Sequence, residues 1–347
     1  MKKTLVAIAA LTAISAFAQS SVTLGGAVDL RLAIGNGSTS NKTALAKNGV
    51  TSSKLLFSAT EDLGGGLKAN IVLDADLNPD NGTGAGTSLD NQGSVAGNGG
   101  LIFNRKSTIS LMGGFGEVRL GRDYTPHFWN YTFYDPFGTQ GVASNLALTG
   151  SAGGSTTVRA SNSIGYLSPN FGGFSGQIMT YFGENNSNTA APVGNNAGSG
   201  NSLRVAYGQG PISVGLSWGR TNTSSSTDIT STSLGGSYDL GIAKIMGSYN
   251  VDAVTGRADT RGFVFGATAP LGAGLLKASF SQTDNGNDAV GKMFGIGYEY
   301  NLSKRTGLYA TVATINNSSR AAFSANGSVT RAGDGSTGFD LGVKHSF

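Results

Sequence analysis

Ser21-Val22-Thr23-Leu24-Gly25-Gly26-Ala27-Val28-Asp29-Leu30-Arg31-Leu32-Ala33-Ile34 alternates with a period of two. Val22, Leu24, Val28, Leu30, Leu32 and Ile34 share one parity with Gly26, while Thr23, Asp29 and Arg31 share the other with Gly25, Ala27 and Ala33. Successive side chains of a strand point to opposite faces, so this stretch is a strand with one apolar and one polar face. The same reading holds at Leu67, Ala69, Ile71, Leu73 and Ala75 against Lys68, Asn70, Asp74 and Asp76. It returns at Ile212 to Trp218, at Phe294 to Tyr300, and at Phe339, Leu341, Val343, His345 and Phe347.

Working outward, about sixteen such segments fill the chain, near 22–35, 52–61, 66–77, 104–113, 116–123, 159–168, 173–183, 201–208, 211–220, 228–239, 241–250, 260–270, 273–282, 291–301, 306–314 and 337–347. Their connections alternate between short and long. Tight links such as 64–65, 113–115, 208–210 and 271–272 alternate with long Gly/Asn/Ser/Thr stretches such as 36–51, 78–103, 124–158 and 315–336. Eight long links and seven short ones join an even number of antiparallel strands. That is the layout of an all-β, antiparallel transmembrane β-barrel with tight periplasmic turns and long outer loops. A soluble β-sandwich is the competing reading. It would hide its apolar faces in a core and needs no systematic loop asymmetry.

Composition agrees. Only 13% of residues are charged, 55 of 347 are glycine, and no run is long and apolar enough for a transmembrane helix. Cysteine is absent, which removes disulfides, thiolate metal sites and a Cys nucleophile. His127 and His345 are the two histidines and lie far apart, so neither a metal site nor a Ser-His-Asp triad is expected. No cofactor, metal or enzymatic activity is therefore expected. A pI near 9.2 comes without a basic stripe, so nucleic acid is not an expected partner.

Lys2 and Lys3, the apolar run from Leu5 to Phe17, and Ala16-Phe17-Ala18 before Gln19 form a secretory signal peptide pattern over 1–18. The barrel then occupies 19–347, and loss of the two lysines takes the net charge from +4 to +2.

The chain resembles the general porins of Gram-negative bacteria, in particular the β-proteobacterial branch. The resemblance covers essentially the whole exported part. It rests on Ser21-Val22-Thr23-Leu24-Gly25-Gly26, on Thr60-Glu61-Asp62-Leu63-Gly64-Gly65-Gly66-Leu67-Lys68-Ala69, and on Gly114-Phe115-Gly116-Glu117-Val118-Arg119-Leu120-Gly121-Arg122-Asp123. Leu167-Ser168-Pro169-Asn170-Phe171-Gly172-Gly173-Phe174, Asn301-Leu302-Ser303-Lys304-Arg305-Thr306 and Lys344-His345-Ser346-Phe347 complete it. The resemblance implies a 16-stranded barrel, a homotrimer in outer-membrane lipid, and passive diffusion of small hydrophilic solutes and ions. A substrate-specific channel is the alternative; a barrel enzyme and an adhesin barrel lack the residues or the room.

In the resembled family the third outer loop folds into the lumen. Here that loop, about 124–158, holds His127, Phe128, Trp129, Tyr131, Phe133, Tyr134, Asp135, Pro136 and Phe137, too aromatic for a solvated surface loop. The other reading is a loop lying over the pore mouth. The basic wall of the constriction matches Lys54, Arg105 and Arg159; Lys54 departs from the arginine of the family pattern and lacks the planar guanidinium fork. Asp135, Asp74 and Asp76 are the candidate acidic side. Seven cations and six carboxylates share inner-face parity, so a modest, salt-sensitive anion preference must arise at the constriction. Arg105 shares parity with the apolar Ile109 and Leu111, which suggests that its strand meets another subunit, with Thr108 and Ser110 facing outward.

Tyr181, Tyr207, Trp218, Tyr249, Tyr298 and Tyr300 are expected in the aromatic girdles, and Trp129 in loop packing rather than a sugar platform. Phe347 resembles the terminal residue read by the outer-membrane assembly machinery.

Overall fold

In the computed structural model, residues 20–92, 100–149 and 154–347 are described. The signal peptide expected over 1–18 lies outside them. Eighteen strand segments form one antiparallel sheet: β1 Ser21–Gly37, β2 Lys42–Lys47, β3 Lys54–Gly64, β4 Leu67–Asn78, β5 Thr83–Gly84, β6 Lys106–Gly113, β7 Gly116–Tyr124, β8 Arg159–Leu167 and β9 Phe174–Tyr181. β10 Gly200–Gln209, β11 Ile212–Asn222, β12 Asp228–Asp239, β13 Lys244–Val254, β14 Thr260–Leu271, β15 Gly274–Asp284, β16 Val290–Asn301, β17 Thr306–Asn317 and β18 Ser336–Ser346 follow.

These make sixteen barrel strands. β2 and β3 are two parts of one strand, since both pair with β1, β2 opposite Leu30–Gly35 and β3 opposite Ser21–Ala27. β5 is a two-residue ladder in the loop after β4. The barrel closes where β18 pairs with β1, from Ala27 opposite Ser346 to Gly37 opposite Ser336. Phe347 extends the seam: its N–H donates to the Gly26 carbonyl and the Gly26 N–H to its carbonyl, both at 3.1 Å. Closure leaves no edge strand and satisfies the backbone within the wall.

The apolar parity faces outward. Ile71, Ile109, Leu120 and Ile164 stand directly opposite one another on β4, β6, β7 and β8, each at least 44% exposed. A contiguous apolar row of this kind would be a liability in water and calls for hydrocarbon or a neighbouring subunit against it. The opposite face is polar and zipped by ion pairs, Arg31 with Asp340, Arg119 with Glu117 and Asp123, and Lys277 and Lys344 with Glu299.

Three expectations about faces need correction. Thr108 and Ser110 point inward and are buried, while Ile109 and Leu111 of β6 face outward. Arg105 precedes β6, outside the regular alternation, so its inward side chain conflicts with no parity. Tyr181 is 2% exposed on the inner parity of β9, bonded to Thr221, and so is not a girdle residue. Tyr249 and Tyr300 do face outward and are exposed.

Candidate functional site

The 124–158 loop enters the barrel. Its first part forms a short helix, α1, Phe128–Phe133, and a second helix, α2, spans Asn145–Thr149. α1 sits against the inner faces of β11 and β12. The Asn130 amide donates to the Gly215 and Ser233 carbonyls at 2.9 and 3.0 Å, and its oxygen accepts from Arg204 Nε at 2.7 Å. Tyr134 lies so close to the wall that a Cβ on Gly235 would come within 2.2 Å of its ring. Glycine at 235 is thus a seat for the loop, which accounts for part of the glycine on these strands. Further along, Phe137, Val142, Ala143 and Leu148 pack with Met293, Ala313, Ile315 and Ala325 in a small apolar cluster. Two different walls therefore hold the loop in place.

A third anchor comes from the break between β2 and β3. Residues 48–53 leave the ladder and are held by Asp29, whose carboxylate accepts from the Val50 and Thr51 N–H groups at 2.8 and 2.7 Å. The Asn48 carbonyl then accepts from Gly141 N–H at 3.0 Å, joining this excursion to the inward loop. Sequence periodicity assigns 36–51 to a loop and misses β2 altogether. Asn48 with a positive φ and the adjacent Gly49 mark the break.

Between the excursion, the inward loop and the wall lies a cavity of about 510 Å³. Lys54, Asp74, Asp76, Arg105 and Arg159 line one side; Phe128, Trp129, Thr132, Gly138, Thr139 and Gln140 of the loop line the other. The three expected basic residues therefore share one space. Tyr124, which sequence reasoning passed over, organises two of them. Its hydroxyl accepts from Arg105 Nη2 at 2.5 Å and from Arg159 Nη2 at 2.7 Å. The Arg159 guanidinium carbon also lies 4.3 Å from the ring centroid, a cation–π contact.

The carboxylates are arranged otherwise than expected. Asp74 and Asp76 stand on the basic wall itself: Arg105 Nε is 3.1 Å from Asp74, and Asp76 is 2.5 Å from Lys47 and 3.8 Å from Arg105. They are counter-ions of the cations rather than a facing acidic side. Asp135 does belong to the inward loop, but it is 4% exposed and does not line the cavity. Its carboxyl accepts from the N–H groups of Phe137 at 2.8 Å and Asn145 at 3.0 Å, fastening α2 to the preceding turn. Burial pushes it up to about 6, against the lowering effect of those backbone donors. His127, buried beside Ser217, is pushed down to about 4 by the same loss of water.

The charge balance follows. Lys47, Lys54, Arg105 and Arg159 stand against Asp74 and Asp76, an excess of two positive charges. Lys54 and Arg159 have no carboxylate partner among the described residues.

Comparison with known proteins gives consistent relatives. The family model described as Gram-negative porin matches residues 4–320. Outer membrane porin protein 32 of Delftia acidovorans is 36% identical over 370 aligned positions, covering 100% of each chain. An outer membrane porin protein of Bordetella pertussis is 28% identical, covering 89% of this chain and 93% of its own. Among solved structures, the anion-selective porin from Comamonas acidovorans superposes with a TM-score of 0.83 at 33% identity, covering 95% of this chain and 100% of its own.

Proposed function

The chain belongs to the Gram-negative porin family and stands in the outer membrane, and on that premise we propose that its channel favours anions because of Lys54 and Arg159. One observation carries the reading: the carboxylates of the constriction are compensated on their own wall, and these two cations are not. Fixed charge in a narrow space with low-dielectric walls attracts ions of the opposite sign. The Comamonas relative is called anion-selective, which supports the same sign here. Reversal potential in a potassium chloride gradient tests it: chloride should permeate better than potassium, and equal or cation-favouring permeation would refute the reading. A solute-specific channel would instead show saturation by one solute at low concentration.

Homotrimeric assembly belongs to the proposal. What supports it is the outer face of the consecutive strands β4, β6 and β7, which carries no outward aromatic, while exposed Phe and Tyr are frequent from β9 to β16. Aromatics gather where strands meet the lipid interfaces, so their absence marks a face turned to another subunit. Gentle extraction followed by crosslinking should give a trimer; monomer alone would refute it. The 1–18 segment is proposed to direct export and Phe347 to be read during insertion, so its deletion should lower the amount of protein in the outer membrane. Insertion at the normal level would refute that role.

A further inference from the structure

We propose that the channel carries a track for small aromatic carboxylates along α1, an inference that rests on the anion-favouring reading above. The rings of Tyr124, Trp129 and Phe133 follow one another at centroid distances of 5.1 and 5.3 Å, the last two stacked within 15° of parallel. A guanidinium caps each end of the row: Arg159 is 4.3 Å from the Tyr124 ring and Arg204 is 5.1 Å from the Phe133 ring. The two ends open into different spaces. Tyr124 and Trp129 line the constriction, and Phe133 lines a second cavity of about 300 Å³ near the short turns, where Lys244 is also found.

Helical spacing separates this row from the residues that hold the loop. Asn130, Tyr131 and Tyr134 face the wall and are at most 1% exposed. Trp129, Thr132 and Phe133, at the i, i+3 and i+4 positions of the other face, look into the lumen. Phe133 is 48% exposed, although burial of Asn130 and Tyr134 already secures the helix. Anchoring thus explains one face of α1; on the other, Trp129 packs within the loop against Tyr124 and Phe128, as expected, and the Phe133 ring stacked on it keeps its outer side open to the lumen. A flat anion suits it: the carboxylate meets a guanidinium while the ring lies on the next aromatic face. Passage from Arg159 to Arg204 then keeps both parts in contact, with Lys244 next in line.

The test compares benzoate with cyclohexanecarboxylate, which has the same charge and nearly the same size but no planar ring. The full-length protein is held in planar bilayers, and each probe is titrated against the chloride current. Benzoate should reduce the current by half at a concentration at least threefold lower than its saturated counterpart. Phe133→Leu keeps an apolar side chain and removes the ring; it should retain the chloride current and lose the threefold difference. Equal block of the wild-type protein by the two probes, or an undiminished difference in Phe133→Leu, would overturn the proposal. The wild-type comparison decides the matter even if the variant does not insert. Chloride preference measured in the same membrane before either probe separates the two readings: its absence refutes anion selectivity, whereas its presence with equal block refutes only the aromatic track.

Discussion

Arg159 lies over the ring of Tyr124, its guanidinium carbon 4.3 Å from the centroid, and donates to the Tyr124 hydroxyl at 2.7 Å. The same hydroxyl accepts from Arg105, so one phenol spaces two like charges that line one cavity. Tyr124→Phe keeps the ring and removes the shared acceptor. Hydrogen bonds to charged groups contribute about 1.5–3 kcal/mol, so both arginines should loosen without being lost. The anion-to-cation permeability ratio should fall, but less than with Arg159→Gln. A fall as large as that variant's would mean that the hydroxyl positions all of the effective charge.

Carboxylates on the basic wall should restrain the anion preference. Asp76→Asn frees Lys47 and relieves Arg105, so the anion-to-cation ratio should rise, most at low ionic strength where screening is weak. Asp135→Asn should leave the ratio unchanged, because that carboxyl is enclosed by backbone donors and does not line the cavity. Bilayer reversal potentials of the two variants, taken side by side, check the contrast.

Asn130 joins the inward loop to the wall through both amide hydrogens and its oxygen. Asn130→Leu leaves two wall carbonyls and the Arg204 guanidinium without this partner, a loss of roughly 1–3 kcal/mol for each buried group left unpaired. The loop should spend more time away from the wall, and single-channel recordings should show added current noise. Recordings as quiet as the wild type would mean that the apolar cluster around Phe137 suffices to hold the loop.

Two buried groups in the loop give opposite dependences on pH. Asp135, raised to about 6, stabilises most below its ordinary value of 3.8, and that contribution is lost as pH rises through about 6. His127, lowered to about 4, stabilises most above its ordinary value of 6.5, and that contribution is lost as pH falls through about 4. The wild type should therefore change little between the two. Relative to it, Asp135→Asn should gain stability as pH rises from 4 to 6.5, and His127→Gln as pH falls over the same window, each by up to roughly 3 kcal/mol. Thermal unfolding of the three proteins across that window measures the slopes.

Much of this was readable in the sequence, for definite reasons. Strand parity has a period of two whatever the partner, so the outward row through Ile71 and Ile109 and the seam at Phe339 to Phe347 follow from local residues alone. Lys54, Arg105 and Arg159 were reached through family resemblance, and they line one cavity. The compensation of Asp74 and Asp76 was not legible, because it depends on which cations lie within reach once the strands and loop have packed. Asp135 does belong to the inward loop, but the N–H groups of Phe137 and Asn145, gathered round it by the folded turn, hold its carboxyl away from the cavity. β2 was missed because Asn48 and Gly49 break one barrel strand within a stretch that reads as a loop.

The reversal potential of Lys54→Gln/Arg159→Gln, compared with the wild type in a potassium chloride gradient, tests the central claim most directly. With both unpaired cations neutral, Lys47 and Arg105 remain against Asp74 and Asp76, and the excess positive charge of the constriction is gone. The wild type should show a potential of the sign set by chloride, and the double variant a potential near zero, with the difference shrinking as salt is raised. A double variant that keeps the wild-type potential would contradict the account and place the selective charge elsewhere in the channel.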